Sequence, residues 1–302
     1  MSPADPSPAA ASSSAVRRRR GGTAALAALG VVLLLTGASD LSAATAPATA
    51  PATAVPGIRM WTDLAGGVDE SGFDPGDIVS DEVFFDGGAL GPLTVQAFLN
   101  ARVPSCAGTD VPCLRDYAED TGDVAADEQC DAYLGGQDVS AAEIVSAVAG
   151  ACDVSPAVLL TLLQKEQSLV TDSAPSERQF RSATGYGCPD TADCDSDYFG
   201  FFGQVYGAAW QFQRYRNPDS SFDWYPVGET SEIQYSPDAA CGTAPVRIEN
   251  AATAGLYYYT PYQPNAAALA NLYGSGDACS AYGNRNFWRI FSNWFGDPRA
   301  GE

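Results

Sequence analysis

The chain has no histidine and a single lysine, Lys165, and these two facts narrow its chemistry at once. Without an imidazole there is no Ser-His-Asp or Cys-His nucleophile system, and zinc peptidase or amidase chemistry lacks its commonest ligand. No Ser-x-x-Lys pattern precedes Lys165, so acylation of the penicillin-binding type has no base. No glycine-rich phosphate loop or dinucleotide fingerprint is present. Carboxyl chemistry survives this elimination. Its foremost form is cleavage of a glycosidic bond by proton transfer from an acidic side chain, which calls for neither a metal nor a cofactor.

Glu166 is the leading candidate for that proton donor. It lies in S-P-A-V-L-L-T-L-L-Q-K-E-Q-S-L-V, Ser155 to Val170, a stretch with the spacing of a helix. Ser155 is suited to cap its first free N–H groups, and Pro156 suits its first turn. Leu159, Leu162, Leu163, Leu169 and Val170 share one face, and Thr161, Gln164, Lys165 and Ser168 the other. On that spacing Glu166 falls within the apolar stripe. A carboxyl held against apolar neighbours keeps its proton, as a general acid must. The competing reading is structural: a side chain that snorkels to water, or one paired with an arginine.

A second carboxylate is required only by some routes. An inverting hydrolase needs one roughly 6.5–9.5 Å from the first, and Asp190, Asp193, Asp195 and Asp197 are candidates by nearness in sequence. Solvated loop charges are the alternative reading of all four. A transglycosylase works with one carboxyl, because a hydroxyl of the substrate serves as nucleophile.

The segments around this helix frame the rest. A polar opening, Arg17–Arg20, a short apolar run from Thr23 to Thr36 and small residues from Ala38 to Ala46 have the layout of a secretory signal peptide cleaved near Ala44. Residues 1–46 are assigned to it, the alternative being an uncleaved anchor. Residues 47–56 are a low-complexity linker. The full chain carries a net charge of −21. Removing the leader takes Arg17–Arg20 with it against only Asp5 and Asp40, so the exported part is two units more negative still. Such a surface argues against a nucleic-acid or anionic-membrane partner.

Cys106, Cys113, Cys130, Cys152, Cys188, Cys194, Cys241 and Cys279 all follow the leader. An even count in an exported chain implies disulfides rather than zinc, since no C-x-x-C pair accompanies them. Cys106–Cys113 and Cys188–Cys194 would close short loops, with Cys130–Cys152 and Cys241–Cys279 the simplest remainder.

Residues 57–137 are expected to form an irregular cysteine-bearing extension, with one short helix from Leu93 to Val103. Ser140-Ala141-Ala142-Glu143 is a capping box that opens a helix to about Ala151. Further helices are expected over Gln204–Arg216, Ala251–Tyr259, Asn265–Tyr273 and from Gly283 onward. A small hairpin is expected around Ile233–Tyr235 and Val246–Ile248. Seven aromatic residues precede residue 180, and twenty-five lie from Phe180 to Phe295. Most of these fill a core, but Tyr257-Tyr258-Tyr259 with Tyr262 crowds one segment, and exposed rings of this kind suit sugar faces.

The chain resembles a known group over roughly Gly87 to Pro298. V-S-P-A-V-L-L-T-L-L-Q-K-E-Q-S-L-V (154–170), A-T-G-Y-G-C-P-D (183–190), G-F-F-G-Q-V-Y-G-A-A-W-Q-F (200–212), A-T-A-G-L-Y-Y-Y-T-P-Y-Q-P-N (252–265) and G-N-R-N-F-W (283–288) are similar to the secreted lysozyme-like proteins of actinobacteria often named hemagglutinin. These are distantly similar to lytic transglycosylases and glucosaminidases. The resemblance implies Glu166 as catalytic acid, although Glu-Gln-Ser stands here where the enzymes have Glu-Ser-Gly. It implies Gln204 in the cleft, with one extra residue separating it from Gly200, and Tyr259 or Tyr262 as the later substrate-binding tyrosine. The expectation is therefore a mainly α, lysozyme-like domain over residues 138–298, with a small β-hairpin and a disulfide-stapled N-terminal extension. It would act outside the cell, as a monomer, cleaving the glycan strand of peptidoglycan. The alternative is a wall-binding or carbohydrate-binding adhesion protein that keeps the fold without catalysis.

Overall fold

Helix α4, Pro156–Gln167, runs through the interior rather than along its edge. Every side chain from Pro156 to Leu163 is buried, Thr161 included, and the Thr161 hydroxyl is satisfied by donating to the Ala157 carbonyl at 2.8 Å. The sequence pattern was that of a two-faced helix; the observed one is apolar all round for two turns and polar only in its last. Its end also differs from expectation. Ser168 adopts a left-handed conformation (φ 59°), and Leu169 N–H reaches back to the Leu163 carbonyl. The helix thus stops before Leu169 and Val170, which belong to the core but not to its stripe. Ser155 gives no side-chain cap, and its buried hydroxyl has no hydrogen-bond partner among the described residues.

The computed structural model describes residues 67–108, 110–188 and 193–300. The expected leader and linker, residues 57–66 of the extension and Asp190 lie outside them. In chain order the elements are α1 (Asp81–Phe84), α2 (Pro92–Arg102), β1 (Ala118–Glu119), β2 (Val139–Ser140), α3 (Ala141–Cys152), α4, α5 (Glu177–Arg181), α6 (Phe201–Arg216), β3 (Thr230–Gln234), β4 (Thr243–Arg247), α7 (Ala251–Tyr259), α8 (Ala266–Leu269) and α9 (Gly283–Phe295). The fold is mainly helical, with an antiparallel β3–β4 hairpin and a second, minimal pairing of β1 with β2. The described residues all fall within one compact unit.

Local chemistry explains the boundaries. Ser140 and Glu143 make both halves of the capping box of α3, which ends at Asp153 in a left-handed turn. Helix α3 packs on α2, α4 and α6; α4 packs on α9, and α6 on α7. Leu159, Leu160, Leu162 and Leu163 are wholly buried between these neighbours, and truncating any one to alanine would cost about 2–5 kcal/mol. Ile78, Phe84, Phe98, Leu114 and Tyr133, from the expected extension, lie in the same hydrophobic cluster as α4. The expected Asn265–Tyr273 helix is only the single turn of α8, and α6 begins at Phe201, three residues ahead of Gln204.

Four disulfides join Cys106 to Cys113, Cys130 to Cys152, Cys188 to Cys194 and Cys241 to Cys279. Bonds of this kind persist in oxidising, extracellular settings. Among the described residues, no helix is long and apolar enough to cross a membrane.

Candidate functional site

Glu166 sits in the last turn of α4, where the buried helix emerges. Its carboxylate makes a close ion pair with the ammonium of Lys165. The Lys165 side chain is only 6% exposed and that of Glu166 27%. Lys165 Nζ also donates to Thr260 Oγ1 at 3.2 Å and lies 5.9 Å from the centre of the Tyr259 ring. Both departures from the sequence pattern have one cause. The reversal at Ser168 removes the apolar neighbours expected after Glu166, and the polar last turn abuts the end of α7. Lys165 therefore points inward, and Glu166 meets a cation instead of a leucine.

The turn Thr184-Gly185-Tyr186 closes over this pair. Gly185 has φ +75°, and a Cβ there would lie 3.8 Å from Glu166 Oε2, so this backbone comes close to the carboxylate. Gln204 clamps the turn. It is wholly buried; its Oε1 accepts from Thr184 N–H at 3.2 Å, and its Nε2 donates to the carbonyls of Tyr186 and Tyr198, each at 2.8 Å. Thr184 Oγ1 returns a bond to the Gln204 carbonyl. Gln204 thus shapes the site from beneath and presents no group to a ligand.

The three consecutive tyrosines of α7 diverge. Tyr257 is buried, with its hydroxyl on the Pro75 carbonyl. Tyr258 joins the rings of Tyr215, Phe222, Trp224 and Tyr225. Tyr259 faces the ion pair: its hydroxyl donates to the Thr184 carbonyl at 2.6 Å, and its ring stacks on Phe212 at 5.0 Å. Burial, and then the nearby charge of Glu166, hold the Tyr259 phenol well above the ordinary tyrosine range. Tyr262 is placed elsewhere. It bridges to Gln234 beside the hairpin and has no described contact with Glu166.

Next to the Thr184–Tyr186 turn runs a groove of about 250 Å³ along α6. Phe202, Tyr206 and Trp210 line it at successive helical turns, with Tyr186 and Tyr198 opposite. Gly203 and Gly207 keep the helix surface low between them. A Cβ at Gly207 would come within 2.2 Å of the Tyr186 ring, so only glycine fits. Trp210 Nε1 donates to Asp127 at 2.7 Å, whereas the buried Tyr206 hydroxyl has no partner among the described residues. Burial pushes the Tyr186 phenol up to about 12. The 202/206/210 spacing with glycines at 203 and 207 was the available sequence signal for this groove.

The loop aspartates stand apart. Asp193, Asp195 and Asp197 are exposed, and Asp195 accepts from Asp197 N–H, which caps the short turn Ser196–Tyr198. Cys106, Cys113 and Asp116 bring three candidate metal-ligand atoms within 4.8 Å of one another, but the two sulfurs are joined in a disulfide and offer no thiolate.

Comparison with known proteins gives one match. Residues 80–301 match the family described as LasA, N-terminal domain. No curated protein and no solved structure matches the chain. The match takes in every helix from α1 to α9, together with the ion pair and the aromatic groove, and the chain therefore belongs to the LasA N-terminal domain family.

Proposed function

We propose that this protein cleaves the glycan strand of peptidoglycan outside the cell, with Glu166 as the proton-transferring carboxyl of a lysozyme-like site. The observation that carries the reading is the position of Glu166, partly exposed at the end of a buried helix and beside the Gly185 turn, whose next residue, Tyr186, lines a groove with four other aromatic rings. Aromatic faces suit the apolar faces of pyranose rings, and the ring hydroxyls suit their edges. The family is associated with cell-wall lytic activity, and four disulfides suit an exported protein. That the bond cut is glycosidic is our own reading.

One carboxyl favours the route in which the substrate supplies its own nucleophile, since the described loop aspartates are exposed and Asp195 is engaged in its own turn. Glu166 protonates the departing glycosidic oxygen. Its carboxylate then takes the proton of the attacking sugar hydroxyl, so the product carries an intramolecular anhydro end. Lys165 holds the carboxyl in place beside the Gly185 turn through their ion pair. Tyr259, neutral at all moderate pH, fixes that turn through Thr184.

A second reading has its own support. The close Lys165–Glu166 ion pair is what a structural glutamate makes, and an inactive wall-binding protein would keep the groove and use Glu166 only for stability. Clearing of a peptidoglycan suspension by wild type, with loss in Glu166→Gln and unchanged pull-down of the same polymer, supports the enzyme. Pull-down without clearing by either protein supports the binder.

A further inference from the structure

On the far side of residues 198–200 lies a second and larger cleft, about 520 Å³, between the Cys106–Cys113 loop, α5 and the start of α6. Val111, Tyr117, Phe180 and Phe199 give it an apolar floor, and Arg178 and Arg181 stand at its edge. The volume is that of a small-molecule site. Tyr117 and Phe180 stack face to face at 4.1 Å, which makes the floor flat and rigid. The Tyr117 hydroxyl is already occupied by Glu119 at 2.8 Å, so the polar contribution falls to the arginines.

Those arginines stand outside the ion pairs of the described residues, as do Arg214, Arg285 and Arg289. Arg115, Arg216, Arg247 and Arg299 each pair with an acid, as does Lys165. Arg178 and Arg181 have no carboxylate partner among the described residues, although Glu177 borders the same cleft. The Arg181 guanidinium lies over the Phe199 ring at 5.2 Å, which occupies its face and leaves its N–H edge open. In a molecule of net charge −21, two unpaired guanidiniums above an apolar floor mark where an anion is favoured.

The two clefts share a wall. Tyr198 lines the aromatic groove and its neighbour Phe199 lines the cationic cleft. A ligand that branches at this wall could fill both, with its neutral sugar chain on one side and an anionic branch on the other. We infer that the Arg178/Arg181 cleft binds the acidic stem peptide that branches from the glycan: the guanidiniums take its carboxylates, and Phe180, Phe199 and Val111 take its small apolar side chains. The inference rests on the glycan-strand reading of the aromatic groove and deepens it, by making peptide-bearing strands the preferred substrate.

The test is equilibrium binding of the full chain to three probes: a peptide-free glycan fragment, the same fragment with its stem peptides, and the free stem peptide. Wild type should bind the peptide-bearing fragment more tightly than the bare one. Arg178→Ala/Arg181→Ala should remove that preference and weaken free-peptide binding at least about tenfold, the loss expected for charge-assisted hydrogen bonds. Binding of the bare fragment should not change. Arg178→Lys/Arg181→Lys should restore part of the preference. Equal binding of both fragments by wild type, or a preference retained in the alanine pair, overturns the inference. Should the alanine pair melt early, the wild-type comparison alone decides. Failure is distinguishable from failure of the glycan reading: a bare fragment that does not bind at all, with free peptide still bound through the arginines, sinks the groove assignment and leaves the cationic site standing.

Discussion

Glu166→Gln separates the energetic role of the ion pair from its chemistry. The substitution keeps the shape of the side chain and removes the charge that faces the Lys165 ammonium, whose side chain is only 6% exposed. Breaking a fully buried pair costs about 3–5 kcal/mol. Here Glu166 remains about a quarter exposed, and Lys165 keeps Thr260 and the Tyr259 ring. Solvent screening brings the expected loss to about 1–2 kcal/mol. For a fold of this size that is a fall in Tm of about 2–8 °C. Lys165→Met leaves the more exposed partner uncompensated and should cost less. Lys165→Met/Glu166→Gln should be more stable than the sum of the single losses implies, because neither charge is then left alone. Cleavage must not follow the same order. Assayed well below the lower Tm, Glu166→Gln and the double variant should lose at least the roughly 10²–10⁴-fold typical of general acid catalysis, whereas Lys165→Met keeps the carboxyl and loses about tenfold or less. Thermal melts and release of soluble wall fragments, measured on all four proteins, decide the matter. A Glu166→Gln protein that melts with wild type refutes the ion-pair argument. Equal loss of cleavage in Lys165→Met and Glu166→Gln refutes the assignment of the proton to Glu166.

Other consequences follow from the packing. Burial holds the phenols of Tyr257, Tyr215 and Tyr259 above their ordinary value of 10 and that of Tyr186 at about 12. The unfolded chain therefore loses these protons first, so stability is intact below pH 10 and declines as pH rises toward the folded-state values. Tyrosine absorbance at high pH should accordingly rise together with unfolding, and a full rise near pH 10 with the fold intact would contradict the burial. Gly207→Ala sets a methyl against the Tyr186 ring, an overpacking that costs about 1–3 kcal/mol; it should weaken glycan binding more than it lowers Tm, and an unchanged affinity would remove the groove from the site. Gln204→Ala leaves Thr184 N–H and two carbonyls without their partner, at about 1–3 kcal/mol for each buried group. It should destabilise the fold visibly and lower cleavage through displacement of the Gly185 turn, and a variant as stable as wild type would deny the clamp.

Much of this was legible in the sequence where the determinant is local. The capping box at Ser140, the proline that opens α4, the hairpin of β3 and β4 and the terminal helix α9 are written in adjacent residues. What was not legible depended on long-range packing. Thr161 looked polar until the packing around α4 buried it, and its hydroxyl then turned onto its own helix. Lys165 looked solvated because nothing nearby in sequence predicts that Thr260 and Tyr259 would receive it. The left-handed turn at Ser168 needs no glycine here, and so the helix end, and with it the setting of Glu166, was misplaced. Tyr257, Tyr258 and Tyr259 could not be assigned from composition, since neighbours on a helix point about 100° apart and each found a different compartment.

The central claim is that one carboxyl, Glu166, cuts the glycan strand with a nucleophile from the substrate itself. Mass spectrometry of fragments released from purified peptidoglycan tests it most directly, with wild type and Glu166→Gln run side by side. Wild type should release fragments with intramolecular anhydro ends, and Glu166→Gln should release essentially none. Anhydro-ended fragments from Glu166→Gln in wild-type yield, or a wild-type digest in which only peptide bonds have been cut, would contradict it.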